Sequence, residues 1–239
     1  MNYIYSIIPT IIIAIFIYKL DKHKEPLKLL IELFIGGILS TFIVLLLTIS
    51  LRLIYPNITI INNSISSIRL FINIFITIGI IEEFSKWIIT YKISYNHKEF
   101  DEIFDIIVYS IFVSLGFATL ENILYVVDSE TVALTAIIRG FLSIPAHTAL
   151  GIIMGSFLGL AKISEINKNY YGKKQYLLYS IIIPIELHTI FDFCAISTNK
   201  YVSAFFYIYI VILFIFAIII VRQFTKKNIK MKPRKKTEE

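Results

Sequence analysis

The 239-residue chain reads as an all-α protein, a polytopic membrane helical bundle of about seven transmembrane helices with one broken span. Three observations lead there. Hydrophobic residues make up 57% of the chain and its mean hydropathy is +0.77, which is too apolar for an ordinary soluble domain. Apolar runs of about 20 residues recur, each able to cross ~30 Å of hydrocarbon. The basic residues lie between and after these runs, so the net charge of +6 points to membrane topology and away from nucleic acid. A β-barrel would show short alternating segments instead.

The expected spans are residues 3–18, 28–51, 70–91, 103–127, 132–161, 176–197 and 202–222. The first has neither a basic n-region nor an A-x-A-like cleavage site, so it reads as a retained span. The fifth is too long for one straight crossing. Gly140 and Pro145 are expected to split it into a short oblique segment and a span from about residue 146. Cys194 is the lone cysteine, inside a span, which excludes an intrachain disulfide. Gly151, Gly155 and Gly159 share one helical stripe and read as a close-packing surface.

Of the 23 basic residues, 18 fall after the first, third and fifth spans and in the tail. Only Arg52, Arg69 and Lys200 fall on the other side, and Lys86 and Arg139 lie within spans. The asymmetry alternates without a break, so the expected orientation is N-terminus outside and C-terminus cytoplasmic. The organisation is then one transmembrane domain, residues 1–222, and a basic cytoplasmic tail, 223–239, that fixes topology.

A short set of polar residues violates the apolar pattern. "IGIIEEFSKWII" carries Glu82, Glu83 and Lys86 in the third span. Glu121 and Asn122 lie in the fourth, Arg139 and His147 in the fifth, and Glu186, His188 and Asp192 in the sixth. An ionised carboxylate at bilayer depth costs at least ~2.5 kcal/mol, so such groups must face the bundle interior and pair. Glu82 with Lys86, and His188 with Asp192, are i, i+4 pairs on one helix face. Glu186 lies about 200° around its helix from His188 and is not expected to join them. Asp105 and Glu32, near the inner boundary, read as solvated. Counted from the outer span ends, Glu121, His188 and Glu82 lie within a turn or two of one level, between the midplane and the outer leaflet. Four spans thus feed one polar chamber.

Carboxylates and imidazoles together can activate water, one group taking its proton while another stabilises an oxyanion. The same groups could hold Zn²⁺. The zinc motif H-E-x-x-H is absent, as are the Gly-x-Gly-Asp of aspartyl intramembrane proteases and a Gly-x-Ser-x nucleophile.

The segments "EEFSK" (82–86), "DIIVYSIFVSLGFATLENILY" (105–125), Arg139 with "PAHTALG" (145–151), and "HTIFDF" (188–193) resemble, in order, the four motif regions of the PrsW family of intramembrane proteases. That family is related to the CAAX-type prenyl-protein proteases. Lys86, Glu121 and Asp192, where those relatives carry Arg, His and Asn, favour the PrsW branch. The resemblance covers residues 70–195 and implies an intramembrane endopeptidase. It implies a single-span membrane protein as substrate, an anti-sigma factor cut first on its extracytoplasmic side. By the family motifs the catalytic set is Glu82, Glu83, Glu121, His147, His188 and Asp192, supported by Lys86, Arg139 and Asn122. If a metal such as Zn is present, His147, His188 and one of Glu82, Glu83 or Glu121 are its ligands. The family is often labelled as metalloprotease, yet Lys86 one turn from Glu82 favours a mechanism with no cofactor. Glu82 is then the base, aided by His147 or Glu121, and His188 with Asp192 forms or orients the oxyanion donor. The rival reading is a proton- or cation-coupled transporter, which would show inverted repeats and paired broken helices; the sequence shows neither.

The charge asymmetry gives a direct test. A cysteine at position 60 is expected to react with an impermeant thiol reagent added outside intact cells, and one at position 98 is expected to stay unlabelled. The reverse pattern would overturn both the orientation and the outward-facing chamber.

Overall fold

The computed structural model describes residues 4–59, 66–127, 129 and 131–227. Position 60 and the tail beyond residue 227 lie outside the described residues. Seven helical rods stand where seven spans were expected. They are α1 (Ile4–Leu20), α2 (Leu27–Ile54), a composite third rod, α5 (Ile103–Val127), α6 (Val132–Ile166), α7 (Tyr170–Ile196) and α8 (Lys200–Lys227). The third rod joins α3 (Ser67–Ile74), a π-helical turn (Phe75–Ile80) and α4 (Ile81–Ser94). α2, α5, α6, α7 and α8 are long and apolar enough to cross a membrane, which makes this a multi-pass membrane protein. α1 is shorter, with 17 residues. The third rod has the length but carries two glutamates and a lysine in its middle.

The expected break in the fifth span does not occur. α6 runs through Pro145 as one 35-residue helix. Proline removes one hydrogen bond, and a helix packed on both sides can absorb that loss. The irregularity sits in the third rod instead. A π turn takes in one extra residue and rotates everything beyond it by about 100° relative to a regular α-helix. It ends at Ile80, two residues before Glu82.

α5 is the central element. Residues 102–119 are buried with only Phe112 half-buried, and α5 packs most extensively on α6 and α2. A helix surrounded on every side has no solvent- or lipid-facing stripe, which explains its near-uniform apolar sequence. The α6 glycine stripe faces α5 as expected. A Cβ on Gly155 would lie 2.7 Å from Ile107 Cα, and one on Gly151 2.6 Å from Ser114 Oγ. An aromatic ladder lines the third rod. Trp87 stacks on Tyr91 (4.8 Å) and Tyr91 on Tyr95 (4.6 Å), while Trp87 Nε1 donates to Ser180 Oγ of α7 at 2.8 Å.

At the end of the bundle holding the α1–α2 and α4–α5 loops, Asp105 is buried, not solvated. Its Oδ2 accepts the backbone N–H groups of Asp101 (3.0 Å) and Glu102 (2.7 Å), because the α4–α5 loop folds back over the start of α5. Glu32 is exposed, as expected. Glu25, in the α1–α2 loop, is also buried and accepts the Tyr109 hydroxyl. Burial raises the Glu25 pKa from 4.5 to about 7, against the lowering effect of the Tyr109 bond. Asp21, Asp101, Glu99 and Asp105 add negative charge around it.

Between those values the folded chain holds a proton that the unfolded chain has released, so folding is favoured most at low pH and this stabilisation is lost as pH rises through about 7. Glu25→Gln, which keeps the neutral form, is therefore expected to raise the thermal midpoint in detergent at about pH 8 and to flatten its pH dependence below that. An unchanged pH profile would remove Glu25 from this account.

Candidate active site

The third rod carries Glu82 and Glu83 on the first turn after the π helix, and Lys86 one turn on. All three are buried, Lys86 to 1% exposure. The i, i+4 partner expected for Lys86 was Glu82, but the closer contact is Glu83. Lys86 Nζ donates to Glu83 Oε1 at 2.7 Å and lies 3.7 Å from Glu82 Oε2. It also donates to His147 Nδ1 on α6 at 3.0 Å and rests 4.0 Å from the centroid of the Phe117 ring on α5. Phe117 thereby acquires a role as the aromatic face against a buried cation.

Since the ammonium only donates, His147 Nδ1 is the acceptor, and its Nε2–H faces Glu121 Oε2 on α5 at 2.9 Å. The same oxygen accepts from the Arg139 guanidinium at 2.9 Å. Arg139 Nε donates to Asn122 Oδ1 at 2.9 Å, its NH2 group donates to Ser143 Oγ at 3.3 Å, and it stacks 3.8 Å from the Tyr125 ring. Arg139 is thus a counter-ion to Glu121. On the other side, His188 Nδ1 on α7 meets Glu83 Oε1 at 2.8 Å, and its Nε2 lies 3.3 Å from Asp192 Oδ2 and 3.9 Å from Glu82 Oε2. The two imidazoles meet edge to face at 5.0 Å.

The fold therefore brings together all six residues of the expected set, with Lys86, Arg139 and Asn122 between or beside them. Glu186 stays apart, exposed on the outer face of α7. The carboxylates are not equivalent. Glu121 Oε2 and Glu83 Oε1 each serve two donors, whereas Glu82 Oε2, like the second oxygen of Glu83, is buried with no hydrogen-bond partner among the described residues. Glu82 and Glu121 both border a cavity of about 440 Å³ between α2, the π turn and α5.

Glu82, His147 and His188 each offer a ligand atom, all within 4.8 Å of one another. Two histidines and a carboxylate are the donor types of a catalytic zinc centre. The Lys86 ammonium stands among these same donors and already holds the His147 Nδ1 lone pair.

Several participants gave no signal of their own in the sequence. Ser143 and Tyr125 are ordinary residues in apolar runs, and α2, which walls the cavity, carries no motif. Gly79 could have been noticed as a glycine three residues before the glutamates. A Cβ there would lie 2.3 Å from Thr189 Oγ1 and 3.1 Å from Ile185 O on α7. Its absence lets the π turn seat against α7, one turn from His188.

A multi-pass helical bundle with a buried carboxylate–imidazole centre beside a membrane-embedded cavity defines the class: an intramembrane hydrolase scaffold. Residues 25–220 match the family described as PrsW family intramembrane metalloprotease. The chain is similar to proteins named Protease PrsW. It shares 34% identity with the one from Clostridioides difficile strain 630 over 215 residues, 88% of this chain and 86% of that one. It shares 32% with the one from Geobacillus kaustophilus, covering 82% of this chain and 80% of that one. With the Bacillus subtilis strain 168 protein it shares 30%, over 82% and 84% of the two chains. The chain belongs to the PrsW family of intramembrane proteases. No solved structure matches it.

Gly79→Ala is expected to push the π turn off α7 by on the order of 1 Å and to lower proteolysis of a membrane substrate by on the order of 10²-fold, as small misplacements of catalytic groups do. Adding Thr189→Ala removes the nearer clash and is expected to restore much of the loss. Wild-type activity in Gly79→Ala alone would show that this contact does not position the glutamates.

Proposed function

We propose that residues 1–222 form an endopeptidase domain that hydrolyses a peptide bond of a single-span membrane protein. By family resemblance the substrate is an anti-sigma factor, and the cut is the first one, on its extracytoplasmic side. One observation carries the catalytic reading: Glu82 borders the cavity and its Oε2 is buried with no hydrogen-bond partner among the described residues, whereas Glu83, whose Oε2 is also unpartnered, does not line the cavity, and Glu121 is held by His147 and Arg139. In this reading Glu82 takes a proton from water as the oxygen adds to the scissile carbonyl carbon. His188, whose Nε2 faces Glu82 and Asp192, donates to the developing oxyanion. Glu82 then returns the proton to the leaving amine, yielding a carboxyl and an amino terminus. Glu83 holds His188 and Lys86 in place, and Glu121, locked to His147 and Arg139, fixes the far wall.

The family description includes a metal. The donor types in this chain suit zinc, but their arrangement argues against a divalent ion, because Lys86 occupies the approach and His147 Nδ1 accepts from it. Like charges in a low-dielectric site repel strongly. The proposed mechanism therefore assigns no step to a metal. The orientation inferred from the basic residues supports an outward site. The chamber lies toward the α2–α3, α5–α6 and α7–α8 connections, which that rule puts outside. The basic tail, residues 223–239, is proposed to be cytoplasmic.

The test is a cleavage assay on co-reconstituted single-span proteins. Glu82→Gln is expected to lower turnover by ~10²-fold or more while the protein still accumulates in the membrane. Activity is expected to survive a strong chelator, with no stoichiometric zinc in the active protein. Near-normal turnover in Glu82→Gln would move the base to Glu83 or Glu121. Loss on chelation and recovery with Zn²⁺ would make His147, His188 and a glutamate ligands.

A further inference from the structure

The cavity beside Glu82 has the volume of a ligand pocket, about 440 Å³. It begins where α2 and α5 part. Just before it the two helices touch backbone to backbone: a Cβ on Gly37 would lie 2.0 Å from Val113 O, and one on Gly116 2.0 Å from Phe34 O. One turn past Gly37, at Thr41, and one residue past Gly116, at Phe117, the cavity wall starts. Its inner residues are buried, Val44 to 8%, Phe117 to 0% and Glu82 to 7%. Its rim is open on the lipid-facing surface, with Leu45 at 39%, Leu124 at 38% and Tyr125 at 50% exposure. The cavity is thus a cleft that runs from the surface of the bundle to Glu82.

We propose that this cleft is the specificity subsite of the protease: it receives an extended stretch of the substrate from the lipid, and an uncharged apolar side chain next to the scissile bond seats against Val44, Leu45 and Leu124. This rests on the peptidase reading above. Two features of the lining select that occupant. An extended segment at bilayer depth exposes backbone N–H and C=O groups that need partners. The Thr48 hydroxyl borders the cleft and makes no hydrogen bond among the described residues, and Thr77, which donates to Asn73 O at 2.7 Å, keeps its lone pairs to accept. The charge of the wall supplies the second. Glu82 and Glu121 are the ionisable groups of the lining beside Tyr125, with no lysine or arginine among the lining residues. The nearest cations are engaged: Lys86 Nζ pairs with Glu83 Oε1 at 2.7 Å and lies 3.7 Å from Glu82 Oε2, and Arg139 pairs with Glu121 Oε2 at 2.9 Å. An acidic side chain at that substrate position meets like charge and is rejected. A larger aliphatic side chain buries more apolar area against Val44, Leu45 and Leu124 than a small one.

The test uses the full chain in proteoliposomes with a single-span reporter that it cleaves, the cut being mapped by mass spectrometry. The reporter residue beside the cut is varied through Ala, Leu, Asn and Asp. The wild-type protein is expected to cut the Asp reporter at least ~10-fold more slowly than the Asn one, and the Leu reporter faster than the Ala one. Val44→Phe and Leu45→Phe narrow the cleft and are expected to lower the Leu-to-Ala ratio of kcat/KM by ~10-fold or more. Val44→Ala widens it and is expected to shift the ratio the other way, so a narrowing variant that fails to fold does not decide the outcome. If the wild-type protein cuts no single-span protein, the peptidase reading fails. If it cuts but the side-chain preference is the same in Val44→Phe, Leu45→Phe and Val44→Ala, the peptidase reading stands and the subsite assignment is wrong.

Discussion

A lysine ammonium held inside the bundle organises everything around it. Lys86 Nζ lies 2.7 Å from Glu83, 3.0 Å from His147 and 4.0 Å from the Phe117 ring centroid, at 1% exposure. An unpaired charge in a water-poor interior is very costly, so each partner is needed, and each fixes a helix. Glu83 ties the ammonium to its own rod, Phe117 to α5 and His147 to α6. Two chains of contacts spread from there. His147 passes to Glu121, then to Arg139 and Asn122. Glu83 passes to His188 on α7, then to Asp192. Removing Lys86 would leave Glu83 buried with half its partners gone and His147 without its donor.

The same network makes the carboxylates unequal. Glu83 Oε1 and Glu121 Oε2 each serve a cation and an imidazole, while Glu82, which borders the cavity, keeps an Oε2 without a donor. A site that hydrolyses peptides needs such an asymmetry, with one group free to move a proton and others fixed to hold it in place. A divalent ion placed among Glu82, His147 and His188 would have to displace the ammonium and break this network. That competition is the physical content of the choice between metal-dependent and metal-free mechanisms for a chain whose family description names a metal.

Close backbone contacts set where the chamber lies. Gly37 against α5 and the α6 glycine stripe against α5 draw the helices together at one level, and the cavity opens beyond it. The π turn does the complementary job in the third rod. It rotates Glu82 and Glu83 toward α6 and α7, and Gly79 lets that turn lie against Thr189.

The fold class is legible in the sequence, and so is the set of polar residues that the fold brings together. Hydropathy marks the rods because lipid demands long apolar helices, and the bounds of α5 coincide with the expected 103–127. Polar groups are too costly in a membrane interior to be placed there without partners, so Glu82, Glu83, Glu121, His147, His188 and Asp192 stand out from the apolar runs in the sequence alone. Tertiary structure alone decided which group pairs with which. Lys86 can reach either glutamate by helical spacing, and only the positions of His147, His188 and Phe117 on other helices draw it to Glu83. The unbroken α6 and the π turn were likewise invisible, since a proline's missing hydrogen bond and an extra residue per turn depend on what packs against them. The burial of Asp105 is not legible in the sequence because it comes from a loop folding back, a non-local event. The part of α2 that walls the cleft is plain apolar sequence, and it becomes a cavity wall only because Gly37 and Gly116 bring it against α5 just before the two helices part.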